Sequence, residues 1–131
     1  MEKSSKIFPR EKLTFHAADK MRAETIASAV EIYFGEVSGQ EFMQHFENFV
    51  YAVANAALNY TGADVLPGDL PASYIVSKPP DVFYHAKILF DMTLQCGNYG
   101  KQQLVGDLKS LLRSAERDAW QQGQSARKFL G

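Results

Sequence analysis

The sequence is poor in the residues that most directly declare chemistry. Cys96 is the single cysteine, so no internal disulfide is available and a disulfide-stapled scaffold is excluded. A lone thiol fits a reducing compartment, and a cytoplasmic location is expected. No apolar run approaches the roughly 18 residues that a membrane helix requires. The opening MEKSSKIFPREK has charges with no apolar stretch behind them, unlike a secretory signal. There is no internal repeat to suggest a solenoid and no low-complexity tract to suggest a linker. Histidine is scarce as well, with His16, His45 and His85 only. No Glu-x-x-His pair occurs, so the signature of a di-iron bundle is missing. His45 follows Glu41 by four residues, but two ligands do not complete a metal site. His85 and Cys96 stand eleven residues apart. That is roughly 16 Å along one straight helix, too far for a thiol–imidazole pair. These gaps point to no metal, no cofactor and no enzyme active site.

What is present is a 131-residue chain, 46% apolar, 12% aromatic and 22% charged. Those values describe one globular domain over residues 1–131. The net charge of −1 conceals a segregation. Residues 1–22 sum to +3, residues 23–95 to −7, and residues 96–131 to +3. Basic ends around an acidic middle can steer an acidic partner, or pair with that middle internally or across a dimer.

Apolar spacing predicts four helices. The first runs from about Phe15 to Phe34, with Ile26, Val30, Tyr33 and Phe34 on one side and Thr14 as N-cap. The second starts at VSGQEF, where Ser38 and Glu41 have the spacing of a capping box. Val37 and Phe42 stand at staple positions there. Phe42, Phe46, Phe49, Val50, Val53, Ala57 and Tyr60 form its apolar face, ending near Thr61 and Gly62. Tyr51 and Leu58 fall near a polar stripe of Gln44, Asn48, Asn55 and Asn59. Three asparagines on one face lower helix propensity, and the crossover loop that follows is expected to bond to them.

Residues 62–80 hold four of the five prolines and form that crossover, with SYIVS as a short extended piece. Val65, Leu66, Leu70, Tyr74 and Ile75 are expected to pin it to the bundle. A third helix, opened by Pro80 and Asp81 and reaching Cys96, is the least amphipathic and so expected at the centre. The fourth, about Lys101 to Gln122, has a narrow Leu stripe. Residues 1–13 read as a basic arm and 123–131 as a tail. The fold expected is all-α, a four-helix bundle-like single domain with one long Pro-rich crossover between helices two and three.

Two features carry possible binding chemistry. CGNYGKQQL places Gly97, Gly100 and Lys101 at the start of a helix, as a phosphate cradle requires. The Gly-x-x-Gly is similar to the loop with which KH domains clamp a nucleic-acid backbone, but that fold's sheet has no counterpart here. A P-loop is excluded, because Gln95 and Gln102 replace its glycine and its Ser or Thr. A hinge, with Gly97 as cap, is the simpler reading. Lys109, Arg113 and Arg117 recur every fourth residue as a basic stripe, with Trp120 beside it and away from the Leu face. Trp and Arg anchor protein contacts, and basic–aromatic stripes also hold nucleic acid. The sequence thus favours a small non-enzymatic adaptor, regulator or inhibitor that binds a protein partner. Lys109, Arg113, Arg117, Trp120, Tyr51 and Leu58 would make the contact, with a homodimer formed through the surplus of large apolar side chains. The alternative is a nucleic-acid module using the Gly97–Lys101 turn and the stripe.

Overall fold

The computed structural model describes residues 6–62, 65–66, 68–98 and 102–130, the side chains of residues 129 and 130 apart. A 3-10 turn at Arg10–Lys12 precedes α1 (Ala17–Phe34), α2 (Glu36–Leu58), α3 (Ala72–Val76), α4 (Pro80–Gly97) and α5 (Gln103–Leu130). The described residues contain no strand, and the all-α bundle with one long crossover stands. Side-chain registers give its direction. Asp19 meets Ser114 and Thr14 meets Gln122, so α1 and α5 are antiparallel. Ala57 meets Gln124 and Tyr60 meets Arg127, so the chain at α2 and α5 runs parallel. This is the order of an up-down-up-down bundle.

The capping box does not form. Gly35 has φ 99° and returns its N–H to Glu31 O at 2.8 Å, ending α1 and opening α2 one residue later. Only glycine adopts that conformation without strain, so the backbone turns three residues before the side-chain signal. Ser38 lies inside the helix and donates to Phe34 O at 3.4 Å. Val37 is exposed while Phe42 is buried, so there is no staple either. Thr14 is likewise not a cap: His16 holds that position. The backbone of Thr14 is instead clasped by Gln122, whose Oε1 accepts from its N–H at 2.9 Å. Gln122 Nε2 donates in return to Thr14 O at 2.7 Å.

The expected centre moves from α4 to α2. Helix α2 packs on α1, α4 and α5, with Phe42, Phe46, Phe49, Val50 and Val53 buried. Helix α4 buries Val82, Leu89, Thr93 and Cys96 and leaves Phe83, Tyr84 and Leu94 in solvent. Its high mean apolarity marks two apolar sides, of which the core takes one. In the crossover, SYIVS is helical as α3 rather than extended, because one turn brings Tyr74 inward and leaves Ile75 and Val76 outside. Among the expected pins, Tyr74 is buried and Leu70 packs on the core, while Val65, Leu66 and Ile75 are exposed.

Helix α5 continues through the expected tail to Leu130. Gly123 makes this possible. A Cβ there would stand 2.2 Å from Ala54 O and 2.5 Å from Ala57 Cβ, so the backbones of α5 and α2 nearly touch. Beyond it, Gln124 Nε2 donates to Ala57 O at 2.6 Å and Arg127 donates to Tyr60 O. Side chains of α5 thereby bond carbonyls at and just beyond the end of α2, adding to the Tyr60 N–H that Ala57 O already accepts.

Gly123→Ala is expected to destabilise the fold by roughly 3 kcal/mol in urea titration, since a methyl group enters an occupied contact. Ser38→Ala should stay within about 0.5 kcal/mol, having no cap to lose. A neutral Gly123→Ala would rule out the close approach.

Candidate functional site

Structure divides the expected partner residues. Trp120 is 2% exposed and belongs to the core. It lies on the Leu112–Glu116–Trp120 row, the flank of the buried α5 face, and the crossover covers it. Tyr74 packs at 4.6 Å between ring centroids and Tyr60 at 5.2 Å, edge-on. The sequence reading misplaced Trp120 because its lid is brought over it from residues far away in the chain. Leu58 is also buried, packed with Ala54 beneath Phe8 of the N-terminal arm. Tyr51 is half-buried, and the Arg10 guanidinium sits 4.0 Å over its ring. Neither presents a bare surface; the arm covers both.

The stripe residues Lys109, Arg113 and Arg117 are exposed, as expected. Lys109 and Arg113 border a groove of about 460 Å3 between α4 and α5. Its floor is apolar: Phe49, Val82 and Leu112 are buried, and Ala86 and Phe90 are half-buried. Phe83 stands at its edge, 58% exposed. Lys78 and Lys87 complete a ring of four cations. The groove's one carboxylate, Glu116, is already engaged. Lys78 Nζ lies 3.0 Å from its Oε2, and the Tyr74 hydroxyl donates to the same oxygen at 2.7 Å. Burial, then the Glu116 hydrogen bond and charge, push the Tyr74 phenol well above its ordinary value, so it remains a donor. Among the described residues, Lys87, Lys109 and Arg113 join no ion pair. An apolar trough edged by unpaired cations is complementary in charge and polarity to a segment carrying carboxylates and large apolar side chains.

Gly97 is the last residue of α4 and Asn98 is its cap, whose N–H meets Gln95 O at 3.2 Å. Gly100 and Lys101, the rest of the phosphate alternative, lie outside the described residues.

Two further polar clusters are brought together by the fold. His45 and His85 face each other across α2 and α4 with their Nδ1 atoms 3.0 Å apart, so one ring donates and the other accepts. Burial, then the His45 charge, hold His85 below its ordinary value; Arg10 adds to this and Asp81 opposes it. Among the described residues no third His, Cys, Asp or Glu joins them in a metal-binding group. Cys96 is buried and its thiol is pushed up by that burial, as an inert core residue. At the opposite face, Asp19 is buried and accepts from Ser114 Oγ at 2.8 Å. Asp118 lies beside it, 3.6 Å from His16 Nε2. Burial and the hydrogen bond to Asp19 push Asp118 up to about 6, against the lowering effect of His16.

The asparagines of α2 bond to the arm, not to the crossover. Asn59 Oδ1 accepts from Lys6 N–H at 2.8 Å and its Nδ2 donates to Lys6 O at 2.9 Å. Asn55 Oδ1 accepts from Phe8 N–H at 2.6 Å, and Asn48 Oδ1 from Arg10 at 3.1 Å. The unusual asparagines on one helix face were a sound signal that some backbone needs partners; which segment supplies it depends on the fold. Comparisons with protein-family models, curated proteins and solved structures found no match to this chain.

Asp118 yields a pH prediction. Its folded value, about 6, exceeds the ordinary 3.8, so the native state holds a proton that the unfolded chain has released. The stabilisation is complete below about pH 4 and is lost as pH rises through about 6. Asp118→Asn keeps a donor toward Asp19 at every pH. It should match wild type near pH 4 and exceed it by on the order of 1 kcal/mol near pH 7, allowing for partial exposure. A difference that does not change with pH in chemical denaturation would sink the shared-proton account.

Proposed function

We propose that this protein is a non-enzymatic adaptor or regulator of the cytoplasm that binds a protein partner through the groove between α4 and α5. The observation that carries this reading is the apolar trough of Val82, Phe83, Ala86, Phe90 and Leu112 edged by Lys87, Lys109 and Arg113. Apolar surface supplies contact energy, at roughly 25 cal/mol per Å² removed from water, and the cations select an acidic segment. The partner segment is therefore acidic with apolar side chains at its centre. Helix α4 contributes the wall because its second apolar side, which the core leaves bare, points there at Phe83.

This reading keeps Lys109 and Arg113 of the basic stripe and replaces Trp120 with Phe83 as the aromatic anchor. Nucleic acid is the competing ligand, and it differs in two respects: it needs little apolar floor, and its affinity falls steeply with salt through counterion release.

The test is a photo-crosslinking residue in place of Phe83, activated in the host cell. A discrete protein adduct is expected with the otherwise native sequence and with the α1 control Arg22→Glu. The adduct should disappear with Lys109→Glu/Arg113→Glu. Adducts that are nuclease-sensitive, or a protein adduct indifferent to the double reversal, would overturn the proposal.

A further inference from the structure

The N-terminal arm is held as a ligand is held, not as part of a bundle. Arg10, which opens the 3-10 turn, reaches α2 by its side chain. The backbones of Lys6 and Phe8 turn toward α2, while Ile7 between them is 74% exposed. That alternation is the period of an extended strand. Side-chain amides from Asn59 and Asn55 take the place of a neighbouring strand, bonding Lys6 N–H, Lys6 O and Phe8 N–H. Pro9 has no N–H to satisfy, and its φ −70° and ψ 119° preset the extended form. Phe8 is the one fully buried anchor: 3% exposed, it fills a pocket against Ala54, Leu58 and Ala126, with Leu13 half-buried on the same cluster and Arg10 stacked on Tyr51. The hydrogen bonds of Lys6 and Arg10 are solvent-exposed. A segment with one buried anchor and exposed hydrogen bonds opens locally, well below the cost of global unfolding.

An opened arm leaves behind an apolar pocket, two asparagine side chains (Asn55 and Asn59) poised to bond a backbone, and a third, Asn48, that takes a guanidinium. We propose that this seat is exchangeable, and that a second copy of this chain fills it with its own arm. The occupant's chemistry is on the page: Lys6-Ile7-Phe8-Pro9-Arg10 satisfies the seat atom for atom, whichever copy supplies it. Reciprocal lending between two copies closes a twofold dimer and leaves no seat empty. The backbone at Leu13 (ψ 127°) is extended and lies just before Thr14, which Gln122 clasps, so the arm can pivot at Leu13 with that clasp kept and no α-helix broken. Within one copy the arm competes at an effective concentration of order mM, so exchange is read best where that competition is removed. This inference concerns a different face from the α4–α5 groove and stands independently of it.

Two full-length variants isolate the exchange. Phe8→Ala has a complete seat and a weakened arm; Asn55→Ala/Asn59→Ala has a complete arm and a weakened seat. Alanine is the better helix former, so the second variant keeps α2. Each alone should sediment as a monomer at about 100 µM, and the equimolar mixture should form a heterodimer. A mixture that remains monomeric while both variants keep their helical circular dichroism would overturn the proposal. So would self-association of Phe8→Ala as strong as that of the mixture. Should Phe8→Ala lose its fold, amide exchange in the unaltered protein decides. The Phe8 amide should exchange at least about 10-fold faster than that of Val53, and equal protection would make the arm a permanent part of the core.

Discussion

The approach of α5 to α2 at Gly123 sets the geometry on which the other contacts depend. Any side chain there would collide with Ala54 O and Ala57 Cβ. With none, the last turns of α5 lie close enough for Gln124 and Arg127 to reach the carbonyls of Ala57 and Tyr60. The same turns carry Gln122, which clasps Thr14, and Ala126, which backs Phe8. The helix therefore closes the end of α2, ties down the entry to α1 and builds one wall of the arm's pocket. Buried backbone groups must find partners, and here a glycine contact lets side chains of α5 supply them.

One turn earlier on α5, Trp120 passes that constraint to the crossover. Tyr60 packs edge-on and Tyr74 tilted against it, so residues from before and within the crossover converge on one indole. Tyr74 then donates to Glu116, and Glu116 holds Lys78 just before α4 begins. This chain of contacts fixes the start of α4 relative to α5, and with it the mouth of the groove between them. Burial of Trp120 is thus not a loss to the binding face. It braces the lip of that face, and on the proposed reading this reduces the ordering cost of taking up a partner segment.

How much of this was legible in the sequence follows from the range of each interaction. Helix existence depends on local apolar spacing, and all four long helices stand where that spacing placed them. Boundaries depended on a competition that spacing does not reveal: Gly35 against Ser38 at α2, and Gly123 against a stop at Gln122 in α5. The cations of the groove were visible as a four-residue repeat on one helix. Its apolar floor was not, because Phe49, Val82, Phe90 and Leu112 come from three helices and each reads as ordinary core. Tyr51 and Leu58 stood out as surplus apolar residues beside a polar stripe, and that oddity was informative. The surplus is covered by Phe8 and Arg10, which lie more than forty positions away.

The charge segregation of the chain is not discharged at its N-terminal arm. A basic arm laid along an acidic central segment would be expected to discharge itself in ion pairs. Among the described residues there are two such pairs, His16–Asp118 and Lys78–Glu116, and neither involves the arm's residues 6–12. Neutral asparagines receive the arm instead, and Arg10 sits over a tyrosine ring with Asn48 as its hydrogen-bond partner. Neutral partners add little long-range attraction, so the arm's hold is short-ranged and rests mainly on the fit of Phe8. The cations of the arm and of the groove keep their field in solvent, within a Debye length of roughly 8 Å at physiological salt. A contact made of strong ion pairs would have neutralised that field. Leaving Lys87, Lys109 and Arg113 unpaired keeps their charge at the rim of the groove, which is the field that the proposed acidic segment would meet.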